Sequence, residues 1–306
     1  MKGEKNRQMV VFEDGDIVQT TEEIYIWDGQ FSRVHRDGVL IKYIKSIIPK
    51  NVIMVIPVSD GNIRKEDQEG EYHDVDWKDI EPHIQRAKEL NKIFILGTLC
   101  QIHEEKDINY IYLPLDDSFF ENGIIPYFPE VKFIKWKYRN NDLIWRGGCS
   151  GEGGNQSLRV RFVKELFGYP NAEKVRLSNW WSENKNIPKE WMTHRIQYEE
   201  FMKYKIFFIV DGNCIASNHM WGFATGCIPF IISNSTCWFL HLAIPYVHYI
   251  PIQHDLSNLK KEIEWVKSHD REAEQIARNA YEFARFIFSS DFQKYYIEEE
   301  LKQYIK

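Results

Sequence analysis

The 306-residue sequence predicts an α/β protein. Three observations carry that expectation. Short apolar runs alternate with stretches of helical periodicity. The runs are rich in Ile, Val and Phe and mostly unalternating, as in parallel strands covered on both faces. Hydrophobic residues make up 43% of the chain and charged residues 27%, the balance of a protein with a substantial core.

Taken in chain order, strands are expected at 52–58, 92–96, 110–113, 206–210, 228–232 and 247–250. Helices are expected at 80–90, 158–167, 218–225, 259–268 and 271–288, and residues 291–306 read as a separate helix. Ser257 or Asp255 stands where it can cap the helix that begins at Leu259, with Ile263 and Val266 on its buried face. The rhythm breaks between Asn122 and Gly154. That stretch holds Pro126, Pro129, the polar patch Tyr138-Arg139-Asn140-Asn141 and a glycine cluster at 147–154. A junction there gives two domains, 1–140 and 141–290, with the helix at 291–306 free to pack back on the first.

Charge and cysteine usage narrow the function classes. A net charge of −6 opposes a protein that coats nucleic acid by counterion release, and no nucleic-acid partner is expected. Lys42, Lys45 and Lys50 cluster locally and read as solvated surface. The five cysteines, Cys100, Cys149, Cys214, Cys227 and Cys237, show neither CxxC spacing nor an even count, which suits a reducing compartment. No apolar stretch has the length of a signal peptide core or a bilayer span, so the expected location is cytoplasmic.

Two segments carry chemistry. In the first, a strand at Ile144-Trp145-Arg146 runs into Gly147-Gly148-Cys149-Ser150-Gly151-Glu152-Gly153-Gly154-Asn155, then a helix bearing Arg159 and Arg161. Glycines let backbone amides approach a phosphate, a helix start adds positive potential, and arginine supplies forked donors. It is neither a P-loop nor a GxGxxG turn. The same residues also fit a flexible linker before a surface helix. In the second, the apolar run ending at Val210 meets Asp211-Gly212-Asn213, and a helix starts near Ser217 or Asn218. Ligands of open α/β sheets sit at such strand ends, although a capped βα turn looks the same.

These two segments, together with the motifs C-terminal to them, resemble glycosyltransferase family 90. Its members include animal protein O-glucosyl- and xylosyltransferases, fungal capsule-associated xylosyltransferases and bacterial lipopolysaccharide glycosyltransferases. The resemblance runs from Trp145 to Tyr296. It covers the WRGG loop with Arg159 or Arg161, Lys203-Tyr204-Lys205 before DGN, ASNHMW, the Gly226 turn, Tyr246-Val247-His248-Tyr249-Ile250-Pro251 and Asp255-Leu256-Ser257. The spacing DGN-x-x-ASN is most similar to the bacterial lipopolysaccharide branch.

The resemblance implies a GT-B arrangement, two Rossmann-like domains facing a central cleft, and an inverting transferase with a UDP-sugar donor, glucose or xylose, and a glycan acceptor. It implies a donor site of Arg146, Gly147, Gly148, Ser150, Arg159, Arg161, Asp211, Gly212, Asn213, Ser217 and Asn218. Asn218 stands where animal members carry an arginine on the donor diphosphate. In the first half, Asn51-Val52-Ile53-Met54-Val55-Ile56-Pro57-Val58-Ser59-Asp60 is similar to the family strand ending in the catalytic base, which assigns that role to Asp60. As a residue, Asp60 also fits a plain Ser-Asp-Gly-Asn turn. Asp116 and Asp117 are candidate acceptor-side acids.

No cofactor and no metal are required in that design, since fixed amides and arginine stabilise the leaving diphosphate. Asp74 and Asp76 have the DxD spacing of metal-dependent transferases but sit in a polar stretch read as a solvated loop. His248 reads as a hydrogen-bonded core histidine. The alternative to an enzyme is a non-catalytic nucleotide-sugar or glycan-binding protein, which would have no use for an acid at position 60.

Overall fold

The computed structural model describes residues 9–19, 26–27, 31–32, 39–57, 75, 77–98, 100–101, 106–114, 134–151, 153–178, 186–212, 215–216 and 218–304. The chain forms two compact units. One comprises Met1–Pro129, Ser235–Leu240 and Ile287–Lys306, the other Glu130–Asn234 and His241–Phe286.

The first unit is built on a five-stranded sheet. β1 (Met9–Glu13) and β2 (Asp16–Gln19) form an antiparallel hairpin. Asp14 and Gly15 turn it with φ of 56° and 85°, the left-handed pair that matches strand twist. A second antiparallel pair comes after it, β3 (Ile26–Trp27) with β4 (Phe31–Ser32), each two residues long. Next come α1 (Val39–Ile47), β5 (Val52–Pro57), α2 (Trp77–Glu89), β6 (Ile93–Thr98), β7 (Cys100–Gln101) and β8 (Asn109–Tyr112). The sheet order is β2-β1-β5-β6-β8, with β1 antiparallel to β5 and β5, β6 and β8 parallel. β5 is buried along its whole length, as its unbroken apolar run requires. The three expected strands are present. The hairpin and α1 are additions, and α1 buries Leu40, Ile41 and Ile44 while exposing Lys42 and Lys45.

Two later segments complete this unit. β14 (Thr236–Cys237) pairs antiparallel with β7. Trp238 and Phe239 then lock onto Phe288 and onto Tyr296 of α8 (Ser290–Lys302) by ring contacts of 5.2–5.7 Å. Tyr43 donates to Glu298 at 2.5 Å and Asn51 to the Tyr304 carbonyl at 3.1 Å, so the C-terminal helix is tied to α1 and β5.

The second unit contains β9 (Ile144–Gly147), α3 (Leu158–Leu166), β10 (Lys174–Ser178), β11 (Met192–Thr193), α4 (Tyr198–Phe201) and β12 (Ile206–Val210). It continues through α5 (Asn218–Phe223), β13 (Ile228–Ile232), β15 (Ile250–Pro251), α6 (Leu259–Ser268) and α7 (Asp270–Ile287). The strands form two parallel trios, β11-β10-β9 and β12-β13-β15. Just before β9 and β12, Asn140 and Tyr204 bridge in parallel: Asn140 N donates to Lys203 O at 2.6 Å and Lys205 N to Asn140 O at 2.9 Å. β9 therefore runs beside β12, and strand progression reverses between them. That is the switch point at which doubly wound sheets bind ligands.

Alternation along β12 explains why both faces are covered. Phe208 faces α3, where Trp145, Phe162, Phe208 and Phe230 form a chain of ring contacts at 5.0–5.5 Å. Phe207 faces α5 and meets Trp221 at 4.7 Å.

Two expectations change here. Only Ile250 of the stretch 247–250 is strand. Tyr246, with φ of 59°, turns the chain instead, and its N–H donates to Tyr249 O at 2.7 Å. His248 lies in that turn, accepting from Ile244 N at 2.9 Å and stacking on Phe283 at 4.6 Å. The residue at the α6 cap is Asn258, not Ser257 or Asp255: the Asp255 carboxylate accepts from Ser257 N at 2.9 Å, and Asn258 Oδ1 accepts from Gln253 N at 2.8 Å. In the polar patch at 138–141, Arg139 is 4% exposed. Its guanidinium donates to the carbonyls of Ile134, Met202 and Thr225 at 2.6–3.0 Å. Its stitching role comes from distant backbone carbonyls that a local polarity pattern cannot reveal.

Candidate functional site

The reversal between β9 and β12 leaves their C-terminal ends side by side. Residues 148–151 leave β9 and residues 153–157 lead into α3, while Asp211 and Gly212 leave β12 and lead toward α5. Arg159, on the first turn of α3, ties the two together. Its Nε donates to Val210 O at 3.1 Å, and its Nη1 donates to Ser150 Oγ at 2.7 Å and to Gly148 O at 3.3 Å. A guanidinium can do this because its donors are fixed in a planar fork.

The loops approach so closely that only glycine fits. A Cβ on Gly212 would stand 2.7 Å from Ser150 Oγ and 3.1 Å from Arg159 Cζ. At Gly147 the neighbour is the Trp145 indole, 2.5 Å from where a Cβ would be. The WRGG glycine next to the tryptophan thus makes room for a ring that the core needs.

Asp211 is buried and organises the second loop. It accepts from Ala216 N at 3.2 Å and from the Ser233 hydroxyl. His219 lies against it, 1% exposed, with Nδ1 at 3.0 Å from Ala216 O and 3.6 Å from Asp211 Oδ1. Nδ1 carries the proton, because a carbonyl only accepts. Among the described residues, Nε2 is buried without a hydrogen-bond partner. Burial holds the imidazole below its ordinary pKa, with Asp211 opposing that shift. Asn218 Nδ2 donates to Phe208 O at 3.4 Å, while among the described residues its Oδ1 is buried and unpaired, as is Ser157 Oγ at the start of α3.

The remaining arginines point elsewhere. Arg146 projects from the other side of β9 relative to Trp145. Its Nη1 donates to the carbonyls of Trp145, at 2.8 Å, and Lys174. Burial, reinforced by the neighbouring Arg176, lowers its pKa to about 10. Arg161 is two residues beyond Arg159, on a different side of α3, and donates from Nε to Gln156 O at 3.2 Å. It lines a groove with Asp255.

The structure therefore brings together Gly148, Ser150, Arg159, Asp211 and Gly212, and sets Arg146 and Arg161 apart from them. Asp60, Asp74, Asp76, Asp116, Asp117, Asn213 and Ser217 lie outside the described residues. Sequence reasoning passed over His219 and Ser233. The histidine's place inside ASNHMW was visible, but its contact with Asp211 depends on the turn between them. Among the described residues, no group of three His, Cys, Asp or Glu side chains is set to hold a metal, and no helix is long and apolar enough to cross a membrane.

Comparison with known proteins bears on this site. The model of glycosyl transferase family 90 matches residues 129–306. Protein O-glucosyltransferase 2 of Danio rerio is 28% identical over 181 residues, 52% of this chain and 33% of that protein. Protein O-glucosyltransferase 1 of Homo sapiens is 28% identical over 173 residues, 56% of this chain and 43% of its own. The O-glucosyltransferase LpsA of Dichelobacter nodosus is 24% identical over 160 residues, 49% of this chain and 45% of its own. The chain spans less than half the length of each. The family match covers more than half of the chain and contains the whole β9–β12 junction, and the protein belongs to glycosyltransferase family 90.

Proposed function

We propose that this protein is an inverting glycosyltransferase that moves a sugar, glucose by the names of its relatives or xylose, from a UDP-sugar to a hydroxyl of a glycan acceptor. The observation that carries the reading is the Arg159 tie between Ser150 and the Val210 carbonyl, which holds two glycine-bearing loops at the switch point of a parallel sheet. Diphosphates bind at such places because backbone amides and helix starts present positive potential there.

In this reading the acceptor hydroxyl attacks the anomeric carbon and its proton passes to Asp60. The bond to the UDP oxygen breaks on the opposite face, and charge gathers on the departing diphosphate. Donors preorganised at the glycine loop stabilise that charge, so no divalent metal is needed. Two Rossmann-like domains in GT-B fashion would supply the acceptor side from the first half. The second unit's strand order supports a Rossmann-like donor half.

The test is a thermal-shift panel of UDP-, GDP- and ADP-sugars followed by transfer assays with and without EDTA. A ligand bound only by the folded chain raises its melting temperature. Stabilisation by UDP-sugars alone, with EDTA-resistant transfer, is expected. Stabilisation by a non-uridine nucleotide, or by none, overturns the donor assignment.

A further inference from the structure

We infer that Cys100 and Cys237 are a disulfide site, a facing pair of thiols that a low-molecular-weight disulfide oxidises to a bridge between β7 and β14. The inference stands apart from the donor reading and uses the first unit alone. Cys149, Cys214 and Cys227 fall in the second unit, so Cys100 and Cys237 are the two cysteines of the first.

Register comes first. β7 and β14 pair antiparallel, with Cys237 opposite Cys100 and Thr236 opposite Gln101. Residues directly opposite in such a pair have Cα atoms about 4.5–5.5 Å apart and side chains on one face. A disulfide spans Cα separations of about 4.4–6.8 Å, so this register meets its requirement. Alternation along the strand turns the pair inward: Cys100 is 2% exposed and Cys237 0%, while Thr236 is exposed. Both stand as thiols in this structure.

Both strands are also held in place. Thr98, the last residue of β6, donates from its hydroxyl to Cys100 O at 3.0 Å. Beyond Cys237, Trp238 and Phe239 pack on Phe288 at 5.7 and 5.2 Å. Cys237 lies close to Tyr296, whose phenol is pushed up by burial first and then by Glu300 and Cys237. Facing groups fixed in this way react with each other at a high effective concentration.

The chemistry is thiol–disulfide exchange. The thiolate of one cysteine attacks the reagent's S–S bond, forming a mixed disulfide and releasing one thiol. The second thiolate then attacks that cysteine's Sγ, which closes the Sγ–Sγ bond and releases the second thiol. Two protons and two electrons pass from the protein to the reagent. Buried thiols are inert, so the exchange occurs as the chain folds or when the two-residue ladder opens. The product closes the chain from residue 100 to residue 237 into one loop. It also anchors Ser235–Leu240, the stretch by which the chain leaves the second unit and joins the first.

Refolding the full chain from urea in buffers of reduced and oxidised glutathione tests this, because burial does not then limit access. Alkylation of the remaining thiols and peptide mass spectrometry map the bridges. A Cys100–Cys237 link is expected as the principal bridge. The bridged protein should melt roughly 5–10 °C above the reduced one, since a long loop is closed in the unfolded chain. Dithiothreitol should return it to the reduced value. Cys100→Ala and Cys237→Ala should each abolish the link and the rise. Principal bridges to Cys149, Cys214 or Cys227, glutathione adducts without the link, or a linked protein that melts no higher would each overturn the inference.

Discussion

Arg159 and Ser150 are joined by a 2.7 Å hydrogen bond, and the same guanidinium reaches Val210 O at 3.1 Å, so one side chain sets the separation of the two loops at the switch point. Arg159→Lys keeps the charge but not the fork, and a single ammonium cannot reproduce both bonds. Each hydrogen bond to a charged group is worth roughly 1.5–3 kcal/mol. The variant should lose thermal stability and bind UDP more weakly than the wild type. Thermal melts with and without UDP check both effects; an unchanged melting temperature would show that the tie is not structural.

Gly212→Ala places a methyl group 2.7 Å from Ser150 Oγ and 3.1 Å from Arg159 Cζ. Overpacking of this kind costs about 1–3 kcal/mol. The loss should shrink when Ser150→Gly is added, since the nearest clashing atom is then gone. Denaturant unfolding of the two single variants and the double variant measures the coupling. Strict additivity would mean that the loops do not touch in solution.

His219 gives stability a dependence on pH with a definite sign. Burial depresses its folded pKa below the ordinary value of about 6.5, with Asp211 opposing and Arg159 adding to the shift. Below pH of about 6.5 the unfolded chain binds a proton that the folded chain refuses, so this contribution is whole above that pH and is lost as pH falls. Burial depresses His248 and His254 in the same direction. A His219→Gln variant, which keeps those two, should therefore show a shallower fall in melting temperature between pH 7 and pH 5 than the wild type. Parallel curves for the two proteins would rule His219 out as the source.

Asp60→Asn separates the base role from the turn role. Asparagine keeps the shape and turn preference of aspartate but cannot take a proton at neutral pH. UDP affinity should persist while transfer falls by roughly 10²–10⁴-fold, the usual weight of a positioned base. The pH–rate profile should also lose its acidic limb. Transfer at the wild-type rate would pass the role to Asp116 or Asp117, each tested by the same substitution.

Much of the architecture was legible locally. The apolar runs at 206–210 and 228–232 are β12 and β13 to the residue, and 259–268 is α6. Period and composition act within a few residues, so they specify such elements without help from the rest of the chain. The β1–β2 hairpin is equally local, because Asp-Gly between Val-Val-Phe and Ile-Val is a hairpin signal. The strand expected at 247–250 failed for the opposite reason: its apolar run is overruled by the turn at Tyr246, and His248 is hydrogen-bonded within that turn.

For the site, the order of the motifs was enough to identify the family and to single out the glycine loop, the Asp211–Gly212 turn and both arginines. Only the tertiary structure decided how those residues divide. Arg159 turns inward to two carbonyls and a hydroxyl, and Arg161, two positions later, faces the groove with Asp255. Successive helix positions differ by about 100°, so the residues are separated by the helix itself, but which side meets β12 depends on the strand order. Likewise nothing near Trp238 in the sequence reveals that it closes on Phe288 and Tyr296, some fifty residues away. Local patterns determine what each segment becomes; packing between distant segments, set by the burial of shared faces, determines which side chains meet.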